Sequence, residues 1–281
     1  MRHSPDARIE PPTRQGPEGL RGPAVRARLR LSAGVALNLA GVLRPVIGLR
    51  QGGLRGRALV YGLEETEAAG RRVDPAALNA VDAERLDLGV AERAFTALGP
   101  ATAGEDIPLL FLPVTWTTAR SERGRLKLLR RVAAAQIEHR CACVCELVGF
   151  DEGAPLSVLR DTCGRLTPIF RGVLARIEPS AAAVARLQGG GLSGVSIESS
   201  RLEAASDPEV MLRRVLSLQT IGPGVMIHGV RSVAALGAAR AAGANWASLD
   251  IQPGARDAQG LLAETKTAAR EPGPPLSTQS V

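Results

Sequence analysis

The sequence predicts an α/β chain folded as a modified TIM-type (β/α)8 barrel with an antiparallel first strand. Three observations predict it. Eight short apolar runs recur along the chain, and amphipathic stretches with helix start signals separate all but the first two. Those first two are joined by too few residues for a parallel crossover, so they should form an antiparallel hairpin. At 281 residues and 45% hydrophobic, the chain can bury a large core. No linker-like gap divides it, which points to one domain over residues 25–268.

Residues 1–24 carry Pro5, Pro11, Pro12, Pro17 and Pro23 among charges with no apolar period, the pattern of a disordered basic tail. Leu31 to Leu43 is apolar but holds Asn38 and ends at Arg44; a membrane span needs about twenty such residues. The first strands are expected at 43–49 and 56–61, around Arg50-Gln-Gly-Gly53. Asp74-Pro75, an N-cap followed by proline at the first helical position, should open a helix running to Leu98. Further strands are expected at 108–114, 141–147, 172–177, 193–198, 224–229 and 245–250. Helices should fall at 119–136, 154–168, 180–188, 208–219, 232–242 and 256–269. Gly189-Gly-Gly191 follows a helix, so it reads as a helix cap and connector, because a phosphate-binding loop would precede one. Residues 269–281 read as a second disordered tail.

Composition narrows the function. The formal net charge is +7, and of 35 basic residues only Lys127 and Lys266 are lysines. That balance suggests an anionic partner, although an Arg-biased genome would give the same count. Aromatics make up 2% and Tyr61 is the only tyrosine, which argues against single-stranded nucleic acid, whose bases stack on aromatic platforms. The charged stretch Ser121 to Arg131 reads as the solvated face of a barrel helix more readily than as a nucleic-acid surface. Cys141, Cys143 and Cys145 share their parity with His139. Same-face neighbours in a strand lie about 6.6–7 Å apart, too far for three to share one zinc at about 2.3 Å. These thiols and Cys163 are expected to pack as small apolar groups in a reducing compartment. Arg and Pro scattered through the first thirty positions leave no signal-peptide pattern, so a cytoplasmic, membrane-free protein is expected. No Ser/His/Asp set has the sequence spacing of a known nucleophile motif.

Chemistry in such a barrel sits at the C-terminal strand ends. Arg57, Pro113, Glu146, Arg176, Glu198, His228 and Ser248 fall there. Metal-dependent phosphoryl chemistry would need several carboxylates or Asn at these ends; this chain offers few carboxylates and several cations.

The order of segments resembles that of the EAL domain, the bacterial phosphodiesterase family that hydrolyses cyclic di-GMP. Leu43-Arg-Pro-Val-Ile-Gly-Leu49 is similar to the opening strand with its Gln-Pro-Ile core, and Gly56-Arg-Ala-Leu-Val-Tyr61 stands where Glu-Ala-Leu-Leu-Arg belongs. Asp74-Pro75 through Ala83-Glu84 resembles the lead into the first long helix, and Cys145-Glu146 the Glu strand. Arg171-Gly172 through Leu187 has the spacing of the Asp-Asp-Phe-Gly strand and its helix. Ser196-Ile-Glu198 stands for Lys-Ile-Asp, Ile227-His-Gly-Val-Arg231 for Ala-Glu-Gly-Val-Glu, and Ala235 through Ser248 for the last helix and strand. The resemblance spans about residues 25 to 265.

The departures fall on the chemistry. The signature Glu lands on Arg57 if one residue of the preceding turn is skipped, and on Ala58 otherwise; neither can ligate a metal. By the same alignment the phosphate-contacting Arg becomes Tyr61 and the metal-binding Asn becomes Pro113. The paired Asp become Ala175 and Arg176, and the catalytic Lys becomes Ser196. The later Glu pair becomes His228 and Arg231, and the Gln of the last strand becomes Ser248. Glu146 keeps its ligand type, and Glu198 is a longer version of its Asp. With that set lost, no catalytic residue, metal or cofactor is expected. The resemblance then implies a non-catalytic scaffold in bacterial cyclic di-GMP signalling, acting through a regulatory protein partner that the sequence does not identify. One alternative is a metal-independent cyclic di-GMP or nucleotide sensor, with Arg44, Arg57, Arg176, His228 and Arg231 lining an anion pocket beside Glu146 and Glu198. The other is an active phosphodiesterase, which the lost ligands oppose. A homodimer through helices near the mouth is also implied by the family.

Overall fold

Among the described residues, nine strands form one sheet in sequence order, and the second strand also pairs with the ninth. The computed structural model describes residues 22–66, 70–101, 108–150, 153–202 and 207–250. The strands are β1 (Ala24–Arg30), β2 (Ala36–Gly48), β3 (Leu54–Glu65), β4 (Leu109–Thr115), β5 (Ala142–Val148), β6 (Gly172–Arg176), β7 (Gly194–Glu198), β8 (Gly224–Val230) and β9 (Trp246–Leu249). From β3 to β9 every neighbouring pair is parallel. β2 runs antiparallel to both β3 and β9, which closes an eight-stranded barrel. The expected barrel with one reversed strand is the fold.

Helices α1 (Ala80–Leu98), α2 (Trp116–Arg120), α3 (Glu122–His139), α4 (Leu156–Leu166), α5 (Ala181–Leu187), α6 (Pro208–Gln219) and α7 (Val233–Ala241) lie between strands. Strand alternation splits the apolar side chains into two layers. Val46, Ala58, Phe111, Val144, Leu174 and Met226 fill the barrel interior, where Phe111 and Trp246 meet edge to face at 5.6 Å. The opposite faces of the same strands pack under the helices with α1, α3 and α4 residues such as Leu86, Leu128 and Leu159. Burying one such Phe or Leu stabilises the fold by about 1.5–3 kcal/mol. Cys141, Cys143, Cys145 and Cys163 are free and buried in this outer layer. The hairpin between β2 and β3 turns through Gly52 and Gly53, both at positive φ (68° and 77°), which suits glycine there.

Three features differ from expectation. First, a strand precedes the first one expected: β1 begins at Ala24 and pairs antiparallel with residues 36–42 of β2. β9 pairs with residues 46–48 on the same edge of β2. β1, upper β2 and upper β3 therefore make a three-stranded antiparallel extension beyond the end of β9. A cluster of Ser32, Asn79 and Asp82 ties its turn to α1, with the Ser32 amide and hydroxyl each 2.7 Å from the Asp82 carboxylate. Second, Asp74-Pro75 opens only a short 3-10 turn over Pro75–Ala77. The chain then extends at Leu78, and Asn79 caps α1 by accepting from the Val81 and Asp82 amides. Third, the helix expected at 119–136 is two helices. Ser121 is extended, with φ −73° and ψ 122°, and its hydroxyl accepts the Gly124 amide to start α3. The helix expected at 256–269, the tail at 269–281 and residues 1–21 of the other tail lie outside the described residues. No helix among those described is long and apolar enough to cross a membrane.

Candidate functional site

Above the apolar floor of the barrel, the next inward-facing positions are polar. Two residues along from Val144, Leu174 and Met226 stand Glu146, Arg176 and His228; Ser196 and Ser248 complete the ring from β7 and β9. Glu146 is wholly buried, with 0% of its surface exposed, and so are Ser196, His228 and Ser248.

Glu146 is the hub of this cluster. Arg176 donates to it twice, Nε to Oε1 at 3.2 Å and Nη2 to Oε2 at 2.7 Å. The Ser196 hydroxyl donates to Oε1 as well, and His228 Nε2 lies 2.6 Å from the same oxygen. An ionised carboxylate only accepts, so Nε2 carries the proton there. His228 Nδ1 faces the Ser248 hydroxyl at 3.1 Å. Burial pushes the Glu146 carboxyl up, but the Arg176 and His228 charges and hydrogen bonds outweigh it and hold the group below the usual carboxylate range. Burial likewise pulls the Arg176 guanidinium down, and the Glu146 charge and hydrogen bond more than reverse that. Arg176 also reaches toward Glu198, at 3.9 Å.

A second ion-pair group sits at the rim. Asp250, just past β9, takes Arg44 at 3.1 Å on Oδ1 and Arg231 on Oδ2, at 2.9 Å from Nε and 2.8 Å from Nη2. Arg44 faces Asp250 because the antiparallel register between β2 and β9 pairs Val46 with Ser248. Sequence reasoning missed Asp250, although it lies two residues after Ser248 and so on the same face of that strand. Gly229 joins the two groups. A register shift after Ile227 places it at φ 70°; its amide donates to Ser248 Oγ at 3.1 Å and its carbonyl accepts from the Ser199 hydroxyl at 2.7 Å. A Cβ there would stand 3.4 Å from Arg44 and 3.5 Å from Glu198.

The site thus brings together Arg176, His228 and Glu146, with Glu198 at its edge, and separately Arg44 and Arg231 about Asp250. Arg57 joins neither. It is Ala58 that faces the barrel interior, level with Phe111, while Arg57 shares its parity with Leu59 and is level with Leu110, both in the helix-facing layer. The single irregularity between β2 and β3 falls at Arg55, and beyond it no residue is skipped; one slip of register exchanges the two faces. Arg57 Nη1 is buried without a hydrogen-bond partner among the described residues, and burial lowers its pKa.

Two chemical readings of this cluster fail on the geometry. Ser248, His228 and Glu146 are connected in the order of a nucleophile, base and acid, yet all three are inaccessible, so no substrate reaches the hydroxyl. Nor does the donor set fit divalent cations. Both Glu146 oxygens are occupied by the protein's own donors, Pro113, Ala58 and Arg176 offer no ligand, and no group of three or more His, Cys, Asp or Glu among the described residues is placed to hold a metal.

A further buried carboxylate, Asp87, lies where α1 meets the end of β4. Asp87 accepts from the Thr115 amide at 3.1 Å and hydroxyl at 2.6 Å, but burial still pushes its carboxyl up to about 6. Its Oδ1 and the Tyr61 hydroxyl are buried without partners among the described residues. Burial, and then the Asp87 charge, raise the Tyr61 pKa.

No family model matches the sequence, and a search of curated proteins finds no match. Solved structures do match. The Bacillus subtilis YkuI protein, with an EAL domain, in complex with substrate c-di-GMP and calcium, is 13% identical with a TM-score of 0.55 over 82% of this chain and 60% of that one. The Xanthomonas citri FimX EAL domain in complex with c-di-GMP is 15% identical, TM-score 0.53, over 75% and 85%. The FimX EAL domain from Pseudomonas aeruginosa bound to c-di-GMP is 18% identical, TM-score 0.50, over 75% and 88%. The likeness establishes the fold: this chain has the barrel of the EAL domains.

Proposed function

We propose that this EAL-type barrel is a non-catalytic regulatory protein of bacterial cyclic di-GMP signalling, acting in the cytoplasm as a protein-interaction scaffold. The observation that carries the reading is the state of Glu146. The one carboxylate that matches a metal ligand of the resembled family is buried and neutralised internally by Arg176, with His228 and Ser196 taking its remaining capacity. Two-metal hydrolysis of a phosphodiester needs several free carboxylates around a bridging water and a base. A guanidinium in the middle of that space opposes both. The test is to incubate the purified chain with cyclic di-GMP and magnesium or manganese and separate the products. No turnover is expected; turnover that disappears in Glu146→Gln would overturn the reading.

A metal-independent sensor is the second reading, and one observation favours it. The Arg231 side chain is 68% exposed beside Arg44 at the rim, where it could meet a phosphate, and all three of the similar structures described above were solved with c-di-GMP bound. Calorimetry with cyclic di-GMP in EDTA separates the readings. Saturable heat that Arg231→Ala removes supports the sensor, and its absence supports the scaffold.

A further inference from the structure

We propose that the free edge of β1 is a docking site for an extended, acidic segment of a partner protein, which adds to the sheet as a further strand. The proposal deepens the scaffold reading by naming a surface and a class of partner. Its geometry stands without that reading: a chain that hydrolysed cyclic di-GMP would refute the scaffold and leave the outcome below unchanged.

β1 pairs with β2 on one side, and no described strand pairs with its other side. The hydrogen-bond phase follows from two bonds flanking the pair. The Leu43 amide donates to the Pro23 carbonyl at 3.1 Å, and the Leu31 amide to the Val35 carbonyl at 2.8 Å. In an antiparallel ladder such bonds fall on alternate residues, so Val25, Ala27 and Leu29 turn their backbones toward β2. Ala24, Arg26, Arg28 and Arg30 turn theirs outward. The same alternation governs the side chains: Val25 is buried and Ala27 and Leu29 pack against the core, whereas Arg26, Arg28 and Arg30 are exposed. None of these arginines forms an ion pair with a described residue.

The edge therefore offers a row of unpaired amides and carbonyls, flanked on one face by three guanidinium groups at every second residue. A strand added there gains main-chain hydrogen bonds, and its own alternate side chains fall beside the arginines. Carboxylates at those positions would meet them as charge-assisted pairs. A second copy of β1 is the wrong occupant, because it would set two rows of arginine side by side. The same charge that bars self-pairing and aggregation selects an acidic partner. β1 also rests on a firm base, since Leu29 packs against α1 at Gly89 and the Ser32–Asn79–Asp82 cluster fixes the turn after it. The edge is thus largely preorganised for a partner.

The test uses the full chain and a fluorescein-labelled peptide of alternating Glu and Val, read by fluorescence anisotropy. Two further peptides carry N-methyl groups on one or the other alternate set of amides, so their charge is unchanged. Saturable binding is expected, weakened at least about tenfold by methylation of one set and little changed by the other. Arg28→Pro removes an outward amide without touching a bond to β2, and the triple charge reversal Arg26→Glu, Arg28→Glu, Arg30→Glu repels the probe. Each should weaken binding at least about tenfold while thermal unfolding stays the same. Absence of binding at about 1 mM peptide overturns the proposal. So does equal affinity for both methylated peptides, which would mean charge attraction without strand addition. An oligonucleotide that binds more tightly than the peptide and depends on the same arginines would also overturn it.

Discussion

Replacing Arg176 by methionine removes the cation that neutralises Glu146 while filling most of the same space. Glu146 is 0% exposed and receives two of its hydrogen bonds from Arg176. Breaking a buried pair on one side leaves an uncompensated charge, at a cost of about 3–5 kcal/mol. At this chain length each kcal/mol lowers Tm by about 2–4 °C, so a fall of about 6–20 °C is expected. The pH dependence carries the sharper test. In the parent chain the folded Glu146 pKa is depressed, so its contribution is complete above the unfolded value of about 4.3 and is lost as pH falls through the folded value. Without Arg176 the carboxyl loses its largest lowering influence, leaving mainly His228 to oppose burial, and its pKa rises. The variant's deficit should then be greatest near neutral pH and narrow toward pH 4, where the buried group is protonated. Urea unfolding across that range measures it. Adding Glu146→Leu to Arg176→Met should recover stability to within about 2 kcal/mol of the parent, because the unpaired charge is gone. A deficit for Arg176→Met below about 1 kcal/mol, or one independent of pH, would mean that water reaches Glu146 and that the mouth is open.

Three other outcomes are expected. Asp87 has its folded pKa raised to about 6 from an unfolded value of about 3.9, so it costs stability progressively as pH climbs between them, about 3 kcal/mol above pH 6. Asp87→Asn should lack that loss, seen as a flatter urea-midpoint profile from pH 4 to 7. Gly229→Ala places a side chain at φ 70° between Arg44 and Glu198 and should cost at least about 1 kcal/mol by chemical denaturation. Asp250→Ala frees Arg44 and Arg231; calorimetry should show inorganic pyrophosphate binding tightened about fivefold, with stability changed by less than about 1 kcal/mol.

The barrel was legible in the sequence because each strand carries its own apolar run and each helix its own punctuation. Asp207 before Pro208 caps α6 where the pattern placed a helix, and Ser232 caps α7 in the same way. What escaped the sequence is set by contacts between distant segments. Residues 25–30 of β1 spell Val-Arg-Ala-Arg-Leu-Arg, a two-residue period, but the run is short, follows a proline-rich segment and carries three arginines, so it does not read as a strand. Ser121 and Asn79 each act as a cap, yet composition alone cannot say that a cap will interrupt a longer amphipathic run. The residues of the site were largely named in advance, while their partners were not. Glu146 is level with Leu174 across the parallel ladder, so Arg176 reaches it on a diagonal that no spacing along the chain encodes. Arg57 went astray for a related reason: where a hairpin absorbs its extra residue decides which face every later side chain takes.

The double use of one edge of β2 bears on how the chain reaches its native state. β1, β2 and β3 are consecutive, so their meander forms through short loops as soon as about the first sixty residues are available. The lower part of that same edge waits for β9, roughly two hundred residues later. Until then Val46, Ile47 and Gly48 present open backbone toward the unfinished barrel, and β8 does the same from the other side. Ring closure is therefore the late, high-contact-order event. Damage to β9 would spare the meander while leaving two sticky edges unsealed, so its principal consequence would be aggregation during synthesis.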